Sequence, residues 1–228
     1  MFRPALCGFI ALGSVASIAA ADVVYVDAQS VIFDAGREVS TLDGMLPVGI
    51  DIPAGADYMY VSEVSGLVRA HPVLQWGGPD GNMTTLNDTD IDSYNRISGL
   101  VHPGTMPLVG VFLTDSLPDE SAPARLDFYS VGTEFAELSP LVAQSFHVGD
   151  GWNSAEAMHK FWIPEGATRL YLGFADAGFF TGDPSRNGGA YHDNSGGFNA
   201  DVQFHVVPTP GAIALLGMGG LVGIRRRR

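Results

Sequence analysis

Four stretches of this chain alternate apolar and polar residues between turn-forming boundaries, and each reads as a β-strand rather than a helix: YMYVSEVSGLV (58–68), LVGVFLTD (108–115), KFWIPEGATRLYLGFAD (160–176) and GFNADVQFHV (197–206). In the last, Phe198, Ala200, Val202 and Phe204 face one way and Asn199, Asp201 and Gln203 the other, the pattern of a half-buried antiparallel strand. IPEGATRL places a Pro-Glu-Gly turn between two strand runs, with Leu170, Leu172 and Phe174 as the inward set of the second. Segments 78–96 and 177–192 are turn-rich loops, and only NSAEAMHKF reads as weakly helical. No repeat and no linker interrupts the middle of the chain, so the pattern predicts one all-β domain, a β-sandwich over residues 22–207.

Composition supports that reading: 29 glycines and 14 prolines punctuate a 228-residue chain that is 46% hydrophobic, enough for one sizeable core. The ends do not belong to the core. Residues 1–21 carry an early Arg3, an apolar run from Ala5 to about Ile18 and small residues at Ala19 and Ala21, the pattern of a secretory signal peptide. Cys7, the single cysteine, leaves with it, so rigidity comes from packing or a bound ion and not from disulfides. Residues 208–228 join a Pro-Thr-Pro-Gly turn to an apolar stretch, Ala212 to Ile224, and four arginines. This tail resembles the PEP-CTERM sorting signal, with VPTP where that family usually has Val-Pro-Glu-Pro. The resemblance implies an apolar sorting helix, removal by an exosortase-type enzyme and transient membrane anchoring; a plain C-terminal anchor is the alternative. Both readings send the protein to the cell envelope or extracellular matrix. Between the ends, seven Lys plus Arg stand against 25 Asp plus Glu, a net charge of −18 that excludes nucleic acid as a partner and favours cations.

Candidate chemistry concentrates in GGAYHDNSGGFNADVQF (188–204). Asp176 ends one strand run and Asp193 with Asn194 begins the next, so an antiparallel pairing of the two runs places them at one end of a sheet. Carboxylates, an amide and main-chain carbonyls on irregular loops form the oxygen-rich environment that Ca²⁺ takes, although Asp-Asn-Ser-Gly is also ordinary turn chemistry. From Val61 to Phe204 the chain resembles the calcium-dependent galactophilic bacterial lectin family, through VRAHPVLQWGGPDGN, ISGLVHPGTMPLVGVFL, FWIPEGATRLYLGFAD and YHDNSGGFNADV in order. That resemblance implies a jelly-roll-like, galactose-binding-like sandwich with one calcium ion bridging protein and sugar. By position it makes Asp176, Asp193 and Asn194 side-chain ligands and the carbonyls of Ala190 and Ala70 main-chain ligands, with Asp193 standing where the family usually has Asn. The loop 177–191 is longer than the family's, and its His and Gln sugar contacts have no match in MTTLNDTDIDSYN.

Tyr191, Phe179, Phe180 and Trp76 are candidate platforms for a sugar ring, and His192 adjoins the site. Asp88, Asp90 and Asp92 have the spacing of an EF-hand start, but Ser93 and Gly99 replace its Gly and bidentate Glu, which leaves a solvated acidic loop or a weak ion site. The six histidines are scattered without metal spacing, and no nucleophile elbow or phosphate loop is present. The expected function is therefore non-enzymatic: calcium-dependent binding of a carbohydrate or exopolysaccharide by an exported protein. A structural matrix protein in which calcium only staples the fold and a glycan hydrolase using Asp176 with Asp193 remain the alternatives.

Overall fold

The computed structural model describes residues 17–84 and 88–207, with side chains from residue 20 onward. The bulk of the expected leader and the whole sorting segment lie outside the described residues, although residues 17–21 continue the first strand. In chain order the strands are β1 (Ser17–Asp27), β2 (Val48–Asp51), β3 (Tyr58–Arg69), β4 (Thr89–Ile91), β5 (Leu100–His102), β6 (Val109–Leu113) and β7 (Leu126–Asp127). They continue with β8 (Glu137–Leu138), β9 (Phe146–His147), β10 (Lys160–Trp162), β11 (Arg169–Gly173), β12 (Thr181–Gly182) and β13 (Ser195–Val206). The only helices among the described residues are three single 3-10 turns, none long enough to cross a membrane.

Three sheets result. β1, β13, β3, β10 and β8 form the first, β2, β11, β6 and β9 the second, and β12, β4, β5 and β7 the third. β13 is the spine of the first sheet, antiparallel to β1 on one side and to β3 on the other. Its alternation is the one expected: Phe198, Ala200, Val202 and Phe204 are fully buried, while Asn199 is exposed and Asp201 and Gln203 are half-buried. Leu170 and Leu172 of β11 point into the same core, which runs continuously from Val26 to Phe204. At about 25 cal/mol per Å² of apolar area, such alternating burial is the main favourable contribution to the fold.

Two local expectations are corrected. NSAEAMHKF forms no helix: the Asn153 side-chain oxygen accepts the backbone amides of Ala155 (3.0 Å) and Ala157 (3.1 Å), turning the chain so that Trp152 bridges Met158. An Asx side chain that satisfies nearby amides competes with the helical ladder. Segment 78–96 is not all loop, because Thr89–Ile91 form β4 against β5. There the spaced acids pair with a cation, Arg125 lying 2.7 Å from Asp90 and 3.7 Å from Asp92.

Candidate functional site

The acid and amide at the mouth of β13 are brought to Asp176, but by a different route from a shared antiparallel pair. β11 and β13 belong to different sheets, so Asp176, three residues beyond β11, meets Asn194, one residue before β13, where the sheets adjoin. Short contacts fix the junction. Phe174 bridges Val31 in parallel, and its amide donates to the Ser30 carbonyl (2.8 Å), which anchors the exit from β11 beside the segment after β1.

Asp176 is buried, and all its hydrogen bonds are local to the junction. The Asn194 amide group donates to its Oδ2 (2.9 Å), the Ala177 amide to its Oδ1 (2.7 Å), and its own amide donates to the Tyr191 hydroxyl (3.0 Å). Burial pushes the Asp176 carboxyl up to about 8; the bonds from Asn194 and Ala177 oppose this, and the neighbouring Asp193 and Asp43 add to it. A cation at this carboxylate would hold it ionised at neutral pH.

Asn194 is the more telling residue. Its Nδ2 donates both to Asp176 and to the Ala28 carbonyl (3.1 Å), and two acceptors on one side fix which end of the amide is nitrogen. The other end, Oδ1, is buried with no hydrogen-bond partner. A buried, unsatisfied acceptor costs about 1–3 kcal/mol, and an amide oxygen is one of the atom types that hard cations take as ligands.

A cavity of about 600 Å³ opens at this point, lined by Ala70, Asp176, Ala190 and Asp193 together with His71, Phe179 and Phe180. Four of the five expected ligand positions thus share one cavity wall, and the fifth, Asn194, is bonded to Asp176. Ala70 joins them because Ser195 pairs with Arg69, so the residues just beyond that ladder, Ala70 and Asn194, meet at its end. Among the described residues no cluster of three or more His, Cys, Asp and Glu forms a metal centre. The donor set here is two carboxylates, an amide and the main chain, which suits Ca²⁺ and not zinc.

The aromatic expectations divide. Tyr191 is fully buried, so its ring offers no face to a ligand; its hydroxyl donates to the Phe174 carbonyl (3.1 Å) and holds the junction together. Trp76 lies away from the cavity, against Gly66, Leu67, Gly196 and Gly197, with the Arg69 guanidinium 4.6 Å from its ring centre. His192 is turned out to Asp43 (2.6 Å), and that bond raises its pKa. Phe180 is buried in the wall, whereas Phe179 is 85% exposed at the cavity in a left-handed conformation, φ 60°. Two residues escaped the sequence reading. His71 lines the cavity with Nε2 3.7 Å from Asp193 Oδ2, its only sequence signal being adjacency to Ala70. Asp43 accepts the Tyr191 amide (3.0 Å) and His192, and nothing in its own segment announces that.

Comparison of the chain with protein-family models, curated proteins and solved structures finds no match.

Proposed function

We propose that this is an exported, calcium-dependent carbohydrate-binding protein of lectin type. In this reading the sandwich is a jelly roll, the leader directs export, and an exosortase-type enzyme processes the tail at the cell envelope or matrix. The observation that carries the proposal is the buried Asp176 carboxylate on the wall of a cavity that Asp193, Ala70 and Ala190 also line, hydrogen-bonded to Asn194, whose Oδ1 is buried and unpartnered. Bound there, Ca²⁺ supplies coordination positions that two vicinal sugar hydroxyls can take from water. Asp176 and Asp193 accept the hydrogens of those hydroxyls in charge-assisted bonds, and His71 stands beside Asp193 to meet a further polar group. Phe179, exposed over the same cavity, packs against the apolar face of the ring. That exposed ring favours sugar binding over a calcium ion that merely staples the fold.

Thermal unfolding of the full-length protein in millimolar calcium and in chelator tests the reading. Calcium at 100 times its dissociation constant adds roughly 2.7 kcal/mol of stability. Asp176→Asn combined with Asn194→Ala is expected to abolish that gain while the melt in chelator stays cooperative. A glycan array in calcium then identifies the sugar. An identical melting temperature with and without calcium overturns the proposal.

A further inference from the structure

We infer a second carbohydrate contact, an aromatic strip of Tyr25, Leu67 and Trp76 on the first sheet that receives the continuation of a neutral polysaccharide held at the cavity; the inference rests on the lectin reading above. The three side chains are 55%, 53% and 47% exposed, and together they form an apolar run that packing does not require. The strip lies on glycines. A Cβ on Gly196 would stand 2.7 Å from the Trp76 ring and meet the Leu67 carbonyl, and one on Gly197 would stand 2.5 Å from Tyr25 Cζ and 2.7 Å from the Val26 carbonyl, so glycines give both the strands and the two rings their close approach. Gly196 also has φ +92° and its carbonyl accepts the Tyr25 hydroxyl (3.3 Å), which fixes that ring in place. Arg69 stacks 4.6 Å from the centre of the Trp76 ring and donates to the Pro72 carbonyl (3.0 Å), which steadies the indole.

The chemistry of the occupant follows from the lining. Gly66, Leu67, Trp76, Gly196 and Gly197 floor a shallow groove with no carboxylate, where the Arg69 guanidinium is committed to the Trp76 ring, on a domain of net charge −18. Polyanions are repelled by the surroundings, and the groove offers a cation no carboxylate. Pyranose rings present C–H faces that pack on indole and phenol rings while their hydroxyls stay in water. Three side chains are too few for a protein partner, which engages about 20–30 residues a side.

Position ties the strip to the cavity. Gly196 and Gly197 follow Asn194 by two and three residues, roughly 7–10 Å along an extended strand. The loop from Ala70 runs past the cavity at Leu74 and reaches the groove at Trp76. An oligosaccharide spans that interval, whereas a monosaccharide does not.

Native gel electrophoresis of the full chain through soluble galactomannan and mixed-linkage glucan, in calcium and in chelator, tests the inference. The expected result is retardation in calcium that weakens roughly five- to tenfold in Trp76→Ala and Tyr25→Ala and is largely retained in Trp76→Phe, with the calcium-dependent rise in melting temperature unchanged. Equal retardation in calcium and chelator, lost in Trp76→Ala, supports the strip while overturning the calcium reading of the cavity. Retardation of Trp76→Ala equal to that of the unaltered protein overturns the strip, as does no retardation of the unaltered protein in either condition. Self-association abolished by Trp76→Ala also overturns it, by making this face a contact between copies of the chain.

Discussion

The Tyr191 hydroxyl closes the junction between the sheets, accepting the Asp176 amide and donating to the Phe174 carbonyl from a fully buried position. Tyr191→Phe keeps the ring and removes both bonds, leaving the buried Asp176 amide without an acceptor while the Phe174 carbonyl keeps the Ile32 amide (3.1 Å). Loss of about 1–3 kcal/mol is expected in urea unfolding with chelator present, together with a smaller calcium-dependent gain because Asp176 is no longer held. Unchanged stability in both conditions would show that the hydroxyl carries nothing. Sequence reasoning singled out Asp176, Asp193 and Asn194, because a carboxylate and an amide beside paired glycines announce oxygen ligands or a turn whatever lies around them, but it joined them by an antiparallel pairing that the sheets do not have. It misassigned Tyr191, since an aromatic in a loop reads alike whether it covers a ligand or plugs a core. Burial is a property of the other chain segments, and the Gly44 approach to the Tyr191 Cβ, where an added Cβ would stand 2.7 Å away, has no local signature.

At the scale of elements, three buried histidines link strands that are remote in sequence. His102 ends β5, His147 ends β9 and His159 precedes β10; the first two rings lie 4.7 Å apart and the last two 6.5 Å. His102 Nε2, His147 Nδ1 and both His159 nitrogens have no hydrogen-bond partner. Burial lowers the pKa of all three, furthest for His147, which also faces its two neighbours; Gly104 opposes the shift at His102, and Asp150 and Glu134 oppose it at His159. Below the ordinary histidine pKa of about 6.5 the unfolded chain takes up protons that the folded chain refuses, so stability falls with falling pH, approaching about 1.4 kcal/mol per pH unit for each histidine. Asp176 acts in the opposite sense. Its pKa is raised from 3.8 to about 8, so across that interval the folded chain binds the extra proton and stability falls as pH rises. In chelator the unfolding free energy is therefore expected to peak near pH 6.5, and Asp176→Asn to flatten the alkaline limb and steepen the acid one. Urea titrations from pH 4.5 to 8.5 check this, and a monotonic profile would refute it. The cluster was invisible in the sequence, where the histidines show no common spacing, because three elements of separate sheets supply one ring each.

Across the whole molecule, β3, β6, β10, β11 and β13 were legible, but the shorter strands, β1 and the partnership of all of them were not. Alternation reports which face of β13 is buried, but not that β11, which precedes it across a long loop, pairs with β2 and β6 in another sheet. Long-range pairing is settled by which edges remain open, and here β13 is enclosed by β3 and by β1. β1 therefore decides how much of the N-terminus can be removed. Its residues Ser17 to Ala21 pair with the end of β13, yet the buried anchors come later: Val26 and Ala28 are fully buried, and Ala28 both donates to the Gly196 carbonyl (3.0 Å) and accepts Asn194. A chain beginning at Asp22, as leader removal would leave it, keeps Asp22 to Asp27 paired with Val202 to Gly197. It is expected to melt within about 4 °C of the longer chain, a loss of no more than 1–2 kcal/mol, and to keep its calcium response. A chain beginning at Gln29 loses both anchors, opens the full edge of β13 to aggregation and takes from Asn194 the carbonyl that orients its amide. Circular-dichroism melts of the two chains decide the matter. Cooperative, calcium-responsive unfolding of the shorter one would mean that β1 is dispensable and that the site is held from the β11 side alone.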